Sequence, residues 1–564
     1  MNAQASNHRW HVAEEDRAKT SELARGLDVP RIVAHLLAIR GIDSVQAGRT
    51  FLEPSLDALS DPFSFTDMRA AVDRIAAARE RNERILVFGD YDVDGIAGTA
   101  IVLNALRRFG IECCTHGMPS RLIEGYGISP EHVEAAQTDG VNLIITVDNG
   151  INAREAVATA RRLGIDFIVT DHHLIEGDLP DALAVINPKR EPEPCFARYI
   201  SGAGVAMHLA RALTGVLEDL DLVALGTVAD IVPLRQENRI LVSLGLQDLM
   251  QRRRVGIAEL ARVASTDLHE ITAERVAFQL APRLNAAGRL GDGLVPLKLL
   301  MTDVTSEAAR MASELNKANE ERRGIERLIL DDAIQEIENT FTAEQRSIVL
   351  ARRGWHPGVI GIVASRLHTL YNRPVVLIAL DEDGLGRGSA RSTDDFDMVA
   401  ALSACKDFMV RFGGHSAAAG LTLEEAHFEA FRRAFEDEAA KRLPSGDPGR
   451  TLAIDALVSF SEIDGHLVKA LDRLEPFGCM NPHPVFCTCG VTPEPHSFRE
   501  LRGGHARLTL QQGPRQFEAI GFNMAGLIQH TVGSRPIDVA FTPKFNTWRG
   551  ETTVQLVLKD IHTT

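Results

Sequence analysis

The sequence predicts an α/β protein that contains a largely parallel sheet with its helices, a long connecting helix, a second α/β unit and a C-terminal OB-like β-barrel. Three observations support this prediction. Short apolar strands alternate with helical patterns through the first half, one amphipathic pattern runs over 305–340, and short strand patterns follow residue 450. Alternating strands and helices are typical of open parallel sheets, and closely spaced short strands are typical of small barrels.

Length, composition and charge limit the class of protein. The 564 residues, 45% hydrophobic and 24% charged, fit a globular protein of several domains. The net charge of −16 disfavours a non-specific binder of duplex DNA, although bound metal ions and a local basic groove would still admit nucleic acid. Seven scattered cysteines predict a reducing, cytoplasmic location. We see no apolar signal core and no membrane-spanning run.

The first half of the chain carries the alternating pattern. Residues 1–50 are mixed and polar and predict an N-terminal arm or cap, and 68–81 predict an amphipathic helix. The next predicted strands are 85–88, 143–147, 167–169 and 184–186. The predicted helices between and after them are 95–109, 131–137, 153–163, 201–213 and 219–227. This order predicts one largely parallel sheet.

Three aspartates at alternate positions follow the first strand. They are Asp90, Asp92 and Asp94, and Gly95 closes the run. Carboxylates this close repel one another, so they need a positive partner, and their oxygens suit Mg²⁺ or Mn²⁺. A calcium loop of the EF-hand type is disfavoured, because Ile101 occupies the position where that loop needs a glutamate. Taken alone, the stretch could also be a solvated acidic turn.

Acidic and imidazole residues also follow later elements of the pattern. Asp148-Asn-Gly follows the strand at 143–147, Asp171-His172-His173 follows the strand at 167–169, and Asp230 follows an apolar helical run. In open α/β sheets, ligands bind at the carboxyl ends of the strands. A surface pair of histidines and a helix cap at Asp230 are the alternatives to a shared site.

We interpret five of these residues as ligands of two divalent cations, namely Asp90, Asp92, Asp148, His172 and Asp230. Two Mn²⁺ or Mg²⁺ ions about 3.5–4 Å apart would clamp a phosphoryl group and generate a hydroxide nucleophile. One carboxylate must then bridge the two ions. Asp148 comes from the middle motif and is the predicted bridge.

The order and spacing of these motifs resemble the DHH phosphoesterase superfamily, whose name describes the Asp171-His-His motif. Further stretches resemble the single-strand-specific exonucleases of that superfamily, namely Gly125-Tyr-Gly127, Ser201–Val205, Leu225–Leu234, Ala281–Arg289 and Leu474–Pro484. The resemblance runs from about residue 50 to the C-terminus. It implies that the catalytic set is Asp90, Asp92, Asp148, His172, His173 and Asp230.

The resemblance also implies a role for each site residue. Asp92, Asp148, His172 and Asp230 would hold one cation, and Asp90 and Asp148 would share the other. His173 would contact the scissile phosphate, while Asp94 and Asp171 would support the ligands from behind. The chain departs from some members at Phe88, where they carry a histidine ligand. The cation that this histidine would ligate is then expected to be bound more weakly, or to have a water molecule as the missing ligand.

The second half begins with a helical pattern at 305–340, which predicts one long helix. A coiled-coil helix is the alternative, but the new strand patterns that follow favour a helix that connects two domains. Glycine-rich stretches at 384–392 and 412–420 come next. Glycines let a backbone approach a phosphate, and Arg and Ser donate to its oxygens, although ordinary turns look similar. These stretches resemble the DHH-associated domain. The resemblance implies phosphate or nucleic-acid contacts by Arg289, Ser389, Arg391 and His415.

A linker is predicted at 442–450, and short strands are predicted beyond it at 453–458, 505–510, 516–520, 537–541 and 553–558. Their number suggests a barrel of the OB type, a fold that often binds single strands. Candidates for base stacking are Phe477, Phe522 and Trp548, and burial in the core is the alternative for each. Zinc binding by Cys479, Cys487 and Cys489 lacks a fourth ligand.

The predicted parts are an N-terminal arm or cap (1–50), a DHH catalytic domain (51–304), a connecting helix (305–340), a DHH-associated domain (341–441) and an OB-fold domain (450–564). The resemblance implies a 5′→3′ exonuclease that acts on single-stranded DNA in repair and recombination and releases 5′-mononucleotides. It also implies single-strand binding protein and a recombination helicase as partners. The alternatives are a DHH phosphodiesterase of short oligonucleotides or cyclic dinucleotides, and a non-catalytic DHH scaffold that binds DNA.

Overall fold

The computed structural model describes residues 8–119, 127–290, 293–342, 344–393, 395–444, 449–531, 536–548 and 550–563. The chain divides into two units. One contains Met1–Ser60, Ile231–Leu244 and Gly449–Thr564, and the other contains Asp61–Asp230 and Gly245–Pro448. Within the described part of the chain, we find no helix whose length and apolar character would allow it to cross a membrane.

The described N-terminal residues form one strand and three helices. These are β1 (His8–Val12), α1 (Arg17–Leu27), α2 (Arg31–Ile39) and α3 (Val45–Leu52). Asp16 caps α1 and Ser44 caps α3, and each side chain accepts a hydrogen bond from a backbone amide of the first turn. Leu23, Leu36 and Leu37 are buried, so these helices have an apolar face that packs within their unit.

A five-stranded parallel sheet lies at the centre of the first half of the larger unit. Its strands are β2 (Ile85–Gly89), β3 (Cys114–Gly117), β4 (Leu143–Val147), β5 (Asp166–Thr170) and β6 (Ala184–Ile186). Their spatial order is β3-β2-β4-β5-β6, and every pairing is parallel. This arrangement confirms the predicted sheet, and it brings the carboxyl ends of β2, β4, β5 and β6 side by side.

Helices cover both faces of this sheet. They are α4 (Met68–Glu80), α5 (Val93–Arg108), α6 (Pro130–Thr138), α7 (Arg154–Leu163), α8 (Gly202–Thr214) and α9 (Leu220–Ala229). The central helix α5 is buried along most of its length and packs against α8 and α9. Gly98 makes this close packing possible, because a Cβ there would lie 2.6 Å from Val147 Cγ1. The helix therefore lies directly on β4.

The chain then continues through mainly helical structure. The elements are α10 (Gln236–Met250), α11 (Val255–Val263), α12 (Ala273–Arg275), a π-helical turn (Val276–Leu280), α13 (Ala281–Leu290), α14 (Leu294–Met301) and α15 (Thr305–Thr340). The 36 residues of α15 span about 54 Å. This helix has the bounds that its amphipathic pattern predicts. Its first half packs against α11, α13 and α14.

A second, mixed sheet follows α15. Its strands are β7 (Ile348–Arg353), β8 (Val375–Leu380), β9 (Leu385–Arg391), β10 (Arg411–Gly414) and β11 (Ala418–Glu424). Their order is β10-β11-β9-β8-β7, with only the β7–β8 pairing parallel. The helices are α16 (Ile360–Tyr371), α17 (Met398–Ala404) and α18 (Phe428–Arg442). The predicted second α/β unit is thus confirmed.

The C-terminal region forms a closed barrel. Its elements are β12 (Arg450–Ile454), β13 (Ala456–Leu457), α19 (Gly465–Asp472), β14 (Phe486–Pro493), β15 (Arg499–Leu501), β16 (His505–Gln512), β17 (Arg515–Gly521), α20 (Ala525–Thr531), β18 (Ile537–Trp548) and β19 (Glu551–Thr563). The order β14-β18-β19-β17-β16 closes through an additional β14–β16 pairing. Five strands in a closed ring confirm the OB-like fold.

One strand of this ring differs from the sequence prediction. The predicted strand at 453–458 lies outside the ring, because β12 pairs in parallel with β1 and β13 pairs only with the edge of β14. Strand β14 takes its place. The pattern of β14 is interrupted by a register shift between Thr488 and Val491, and Gly490 has a positive φ of 68°. A β-bulge of this kind breaks the alternation that identifies strands.

The N-terminal helices share one hydrophobic core with the barrel. Leu36 and Leu37 belong to the same buried cluster as Phe460 and Phe541. The buried side chain of Arg239 reinforces this unit, because its guanidinium donates hydrogen bonds to the carbonyl oxygens of Phe51, Arg473, Leu474 and Glu475. The region predicted as an arm or cap is therefore packed on the barrel.

Arg239→Met should destabilise this unit strongly, because it removes a buried guanidinium that donates to four carbonyl groups, and the hydrogen bonds to Phe51 and Leu474 are themselves buried. We expect a loss of about 3 kcal/mol in its free energy of unfolding. Hydrogen exchange of barrel amides in urea would measure the loss for this unit alone. Arg507→Met is the matched control, since Arg507 pairs with Glu518 at the surface of the same unit and should cost less than about 1 kcal/mol. Equal losses in the two variants would contradict the assigned role.

Candidate metal and phosphate site

The first acidic motif forms the tight turn between β2 and α5. Asp92 is the N-cap of α5, and its Oδ1 accepts hydrogen bonds from the amides of Asp94 and Gly95 at 3.0 and 3.1 Å. A Cβ on Gly95 would lie 2.6 Å from the backbone nitrogen and oxygen of Asp90, so the turn excludes other residues there. The turn buries Asp90, which is 2% exposed. Its geometry brings two carboxylates to the end of β2.

Asp94 points into the protein and anchors α8. Its Oδ2 accepts a hydrogen bond from the Gly202 amide at 2.6 Å, and its Oδ1 accepts one from the Ala203 amide at 3.0 Å. A carboxylate is favourable at a helix N-terminus, where amides lack internal partners. Burial, followed by the charge of Asp92, nevertheless raises the pKa of Asp94 to about 7. Through these contacts Asp94 holds the start of α8, and the supporting role predicted for it stays a prediction.

Asp148 lies at the end of β4 in a left-handed backbone conformation, with φ of 63°. Aspartate tolerates this conformation better than most residues do. The start of α8 presses on its side chain, since a Cβ on Gly202 would lie 2.6 Å from Asp148 Cβ. Burial and then the charges of four neighbouring aspartates raise the pKa of Asp148 well above its usual range. This carboxylate therefore occupies the centre of the acidic cluster.

The segment 171–173 is held by the buried Asp171 carboxylate. Asp171 Oδ1 accepts hydrogen bonds from the amides of His172 and His173 at 2.7 and 3.1 Å, and it lies 2.8 Å from His173 Nδ1. Its Oδ2 accepts a hydrogen bond from the Ile151 amide at 2.9 Å. Burial would raise the pKa of Asp171, but the hydrogen bond and charge of His173 outweigh burial and lower it. Asp171 is thus a charged anchor for both histidines.

His172 faces several carboxylates at once. Its Nε2 lies 3.1 Å from Asp148 Oδ1, 3.5 Å from Asp230 Oδ2 and 3.9 Å from Asp94 Oδ2. Burial and then the charge of His173 lower the pKa of His172 to about 3, so the ring is neutral. Burial and then the charges of Asp94 and Asp92 raise the pKa of Asp230 to about 8. The cluster thus combines a neutral imidazole with several carboxyl groups, and burial and mutual repulsion disfavour the ionisation of all of them at once.

The donor atoms fit divalent cations. Three sets have ligand atoms within 4.8 Å of one another, namely Asp148 with His172 and His173, Asp94 with His172 and Asp230, and Asp90 with Asp92 and Asp148. Among the described residues, no hydrogen bond satisfies the buried His172 Nε2. A buried acceptor that is surrounded by carboxylates needs a cation or a donor, and this mixture of oxygen and imidazole ligands suits Mn²⁺ or Mg²⁺.

All five predicted ligands occur in these sets, with Asp148 and His172 each in two of them. The grouping differs from the expected one in one respect. Asp92 lies with Asp90 and Asp148, whereas Asp94 occupies the place beside His172 and Asp230 that the resemblance implies for Asp92. The assignment of each ligand to a particular cation therefore stays a prediction.

Phe88 contributes to the core behind the site. Its ring is 3% exposed, belongs to a cluster with Ile128 and Val133, and lies 4.8 Å from the His132 ring between centroids. Asn149 Nδ2 donates hydrogen bonds to the carbonyls of Phe88 and Val147 at 3.2 and 2.9 Å, which joins the ends of β2 and β4. Packing explains the phenylalanine at this position.

The predicted phosphate-binding residues lie around the start of α16. Arg289 donates a hydrogen bond to the Gly358 carbonyl at 3.1 Å. Arg391 donates hydrogen bonds to Ser389 Oγ at 3.1 Å and to Ser365 Oγ at 3.0 Å. A Cβ on Gly361 would lie 2.9 Å from Ser389 Oγ, so glycine lets the helix approach β9. Two arginines and a serine thus surround one helix N-terminus, where anions bind readily.

His415 lies in the neighbouring hairpin. Its amide donates a hydrogen bond to the Ala418 carbonyl at 2.8 Å, and Ala418 pairs with Arg391 across β11 and β9. The His415 side chain is exposed, so it is available to a ligand beside Arg391. The structure therefore brings Ser389, Arg391 and the His415 turn together at the place where β9 ends and β11 begins.

Three further sequence interpretations concern the predicted stacking aromatics, the Gly-Tyr-Gly motif and the clustered cysteines. Phe522 is 53% exposed, whereas Phe477 is partly buried against the core of its unit, and the Trp548 side chain lies outside the described residues. Most of the Gly125-Tyr-Gly127 motif also lies outside them. Cys487 Sγ lies 3.9 Å from Cys489 Sγ, but no cysteine joins a candidate metal set among the residues that the structure describes.

Sequence reasoning missed the residues that follow β6. Asn187 Nδ2 donates a hydrogen bond to the His173 carbonyl at 3.0 Å, and Lys189 Nζ donates one to the His172 carbonyl. The strand at 184–186 was predicted, and its carboxyl end lies beside that of β5. Ligands of open α/β sheets bind at the carboxyl ends of the strands, and this rule, applied to β6, would have identified Asn187 and Lys189.

The parallel sheet, its acidic edge and the Asp-His-His segment together define a DHH-type phosphoesterase. Family models agree along the chain: "DHH family, N-terminal domain" matches 84–227, "DHHA1 domain" matches 344–441 and "RecJ OB domain" matches 454–560. The chain belongs to the RecJ family, whose curated members carry the name single-stranded-DNA-specific exonuclease.

Individual relatives match over nearly the whole chain. The RecJ protein of Bacillus subtilis is 36% identical over 559 residues, which cover 99% of this chain and 71% of that protein. The RecJ protein of Salmonella typhimurium is 35% identical over 576 residues, or 96% of this chain and 97% of that protein.

Solved structures of Thermus thermophilus RecJ also match this chain. The complex with Mn²⁺ has a TM-score of 0.85 at 32% identity, and the match covers 99% of this chain and 80% of that one. The complex with Mg²⁺ has a TM-score of 0.79 at 31% identity and covers 99% of this chain and 79% of that one. Both complexes support the divalent character of the donor set.

The raised carboxyl pKa values predict a pH-dependent stability of the metal-free protein. Asp230 and Asp148 hold protons in the folded state that the unfolded chain, with ordinary carboxyl pKa values, has released. The free energy of unfolding should therefore fall as the pH rises from about 6.5 to about 8, the folded-state pKa of Asp230, by up to about 1.4 kcal/mol per pH unit for each retained proton, and should level off as Asp230 loses its proton. His172, with its lowered pKa, acts only below this range.

Thermal unfolding at several pH values in EDTA and in Mg²⁺ would test this prediction. Saturating Mg²⁺ should raise Tm and remove the slope, because the cation replaces the protons. Asp230→Asn should show a smaller slope in EDTA, since it removes one of the titrating groups. Identical slopes with and without Mg²⁺ would show that the cluster does not bind the cation.

Proposed function

We propose that this protein is a metal-dependent 5′→3′ exonuclease that hydrolyses single-stranded DNA to 5′-mononucleotides in repair and recombination. The observation that carries the proposal is the buried cluster of carboxylates and His172, whose donor atoms suit two divalent cations. The names of the RecJ relatives support the substrate and the reaction. The polarity and the product follow from the family resemblance.

The proposed ligands would hold two cations. Asp92, Asp148, His172 and Asp230 would hold one of them, and Asp90 and Asp148 would hold the other. When bound, the two cations would neutralise charge on the phosphate and lower the pKa of water. Asp94 and Asp171 act behind the ligands, since the first holds α8 and the second holds the segment 171–173.

His173 is the proposed contact to the scissile phosphate. Burial would lower its pKa, but the hydrogen bond and charge of Asp171 outweigh burial and raise it. The ring therefore carries its proton at Nδ1, directed to Asp171, and in the charged form it also carries a proton at Nε2. An imidazolium that is oriented in this way can donate from Nε2 to a phosphate oxygen without moving.

Four residues of the second site are proposed to bind the DNA backbone or its terminal phosphate, namely Arg289, Ser389, Arg391 and His415. The place of Arg289, Ser389 and Arg391 around the start of α16 supports this role, because guanidinium groups and helix amides both favour phosphate, and the exposed His415 lies in the hairpin that pairs with β9. The domain boundaries given above, from the catalytic domain at 51–304 to the OB-fold domain at 450–564, are part of the same proposal.

The partners and location also belong to this proposal. Single-stranded DNA is the substrate that the RecJ relatives' names give, and single-strand binding protein and a recombination helicase are the proposed protein partners. A cytoplasmic location is supported by the seven cysteines, all of which are free thiols.

A cleavage assay separates this proposal from its rivals. The substrate is a long single strand labelled at its 5′ end, incubated with the full chain and Mn²⁺. We expect labelled mononucleotides from the earliest time points and little cleavage of a blunt duplex. Cleavage of short oligomers alone would indicate a phosphodiesterase of short substrates, and complete inactivity would indicate a DNA-binding scaffold.

Asp148→Asn is the matched control for this assay. Asparagine has the same shape and tolerates the left-handed backbone at this position, but it cannot replace a shared anionic ligand. We expect less than about a hundredth of the wild-type rate, with an unchanged circular dichroism spectrum. A variant that kept more of the rate would contradict the central place of Asp148.

Phe522→Ala tests whether the barrel contributes to strand binding. The ring is 53% exposed and lies 5.3 Å from the His505 ring between centroids, so a base could stack on it. We expect about 5- to 100-fold weaker binding of a long single strand, with unchanged hydrolysis of a dinucleotide. Leu457→Ala, at a residue 60% exposed in the same unit, is the control. Equal effects of the two substitutions would place the strand elsewhere.

A further inference from the structure

Two side chains at the end of β6 hold the backbone of both site histidines. Asn187 Nδ2 donates a hydrogen bond to the His173 carbonyl at 3.0 Å, and Lys189 Nζ donates one to the His172 carbonyl. Asp171 Oδ1 accepts hydrogen bonds from the amides of the same two residues. Every amide and carbonyl of the pair thus has a side-chain partner.

The two residues also hold each other. Asn187 caps the 3₁₀ turn Pro188–Arg190, and its Oδ1 accepts a hydrogen bond from the Lys189 amide at 2.9 Å. Asn187 is fully buried, and its amide group is used on both sides, by a carbonyl and by an amide. An aspartate would cap the turn equally well but could not donate to the His173 carbonyl, so the donated hydrogen bond distinguishes asparagine from aspartate at this position.

We propose that Asn187 and Lys189 form a clamp that positions His172 and His173 for the reaction proposed above. His172 Nε2 lies between 3.1 and 3.9 Å from three carboxylates, so a small rotation of its peptide would change the whole ligand set. His173 depends on the same peptide for its place beside Asp171. Displacements of about 1 Å in such groups can cost two orders of magnitude in rate.

The clamp belongs to the site and not to the general stability of the sheet. Strand β6 pairs with β5 through Ala184, Val185 and Ile186, and none of these contacts needs the Asn187 amide donor. Arg190, in the same turn, is the residue that ties this region to α4, through Asp67. The Asn187 and Lys189 donors, in contrast, both contact the histidine segment.

Two substitutions remove the donors and keep the turn. Asn187→Asp keeps the oxygen that caps Lys189 but presents a carboxylate oxygen to the His173 carbonyl. Lys189→Met keeps the length of the side chain but cannot donate, whereas Lys189→Arg keeps both the donor and the charge. The controls are Asn82→Asp, at an exposed residue with a positive φ of 54°, and Lys441→Met, at a surface ion pair with Glu438.

Three measurements on the full chain test the clamp: kcat and KM on a 5′-labelled single strand, Mn²⁺ affinity by calorimetry, and Tm. Asn187→Asp and Lys189→Met should each lower kcat about 10- to 100-fold with KM within about twofold, and Lys189→Met should weaken Mn²⁺ binding about 10-fold. Lys189→Met and both controls should keep a Tm near that of wild type, and Lys189→Arg should restore most of kcat. Asn187→Asp should lower Tm as well as kcat, because it places a carboxylate at a fully buried position.

Opposite results would overturn the clamp. These are a kcat close to wild type in Asn187→Asp and Lys189→Met, a loss of kcat in Lys189→Met that is matched by a loss of Tm, or a Lys189→Arg variant as poor as Lys189→Met. The inference rests on the proposed exonuclease, and the calorimetry separates the two. If the wild-type chain fails to degrade DNA, the proposed function fails. The Mn²⁺ affinity of Lys189→Met then decides the clamp: weaker binding than wild type supports it, and unchanged binding contradicts it.

Discussion

Mutual repulsion of buried carboxylates is the constraint on which the rest of this structure depends. Asp90, Asp94 and Asp148 are each at most 2% exposed, and burial raises the pKa of the last two. Such a group of charges would separate unless the backbone prevented it. The fold prevents it with rigid partners, since the tight turn before α5 and the start of α8 leave the acidic side chains little room to withdraw.

Much of this arrangement follows from the sequence because local rules and the global fold agree. Strands β4 and β6 and helix α15 have the predicted bounds, since their apolar patterns are uninterrupted. The acidic and histidine motifs were found because each follows an element of the parallel sheet, and parallel strands end at one edge. The pairing order then brings residues far apart in the chain to one place.

The remaining features depend on contacts that no local pattern shows. The bulge in β14 interrupts its alternation of inward and outward residues, so the sequence did not predict this strand. The segment 453–458, which lies outside the ring, was predicted as a barrel strand in its place. The direction of Asp94 depends on the amides of Gly202 and Ala203, more than a hundred residues away. The packing of residues 8–60 with the C-terminal barrel depends on the pairing of β1 with β12 and on Arg239. Such contacts become visible only when the chain has folded.

The acidity of the chain is compatible with a DNA substrate because the charges are unevenly placed. The net charge of −16 includes six buried or partly buried acids at the candidate metal site, namely Asp90, Asp92, Asp94, Asp148, Asp171 and Asp230. Two divalent cations held by such a cluster would offset most of its negative charge and would present positive charge directly to a phosphate oxygen. Arg289 and Arg391 add fixed positive charge around the start of α16. The net charge of the whole chain therefore does not determine what charge a phosphate would meet at this site.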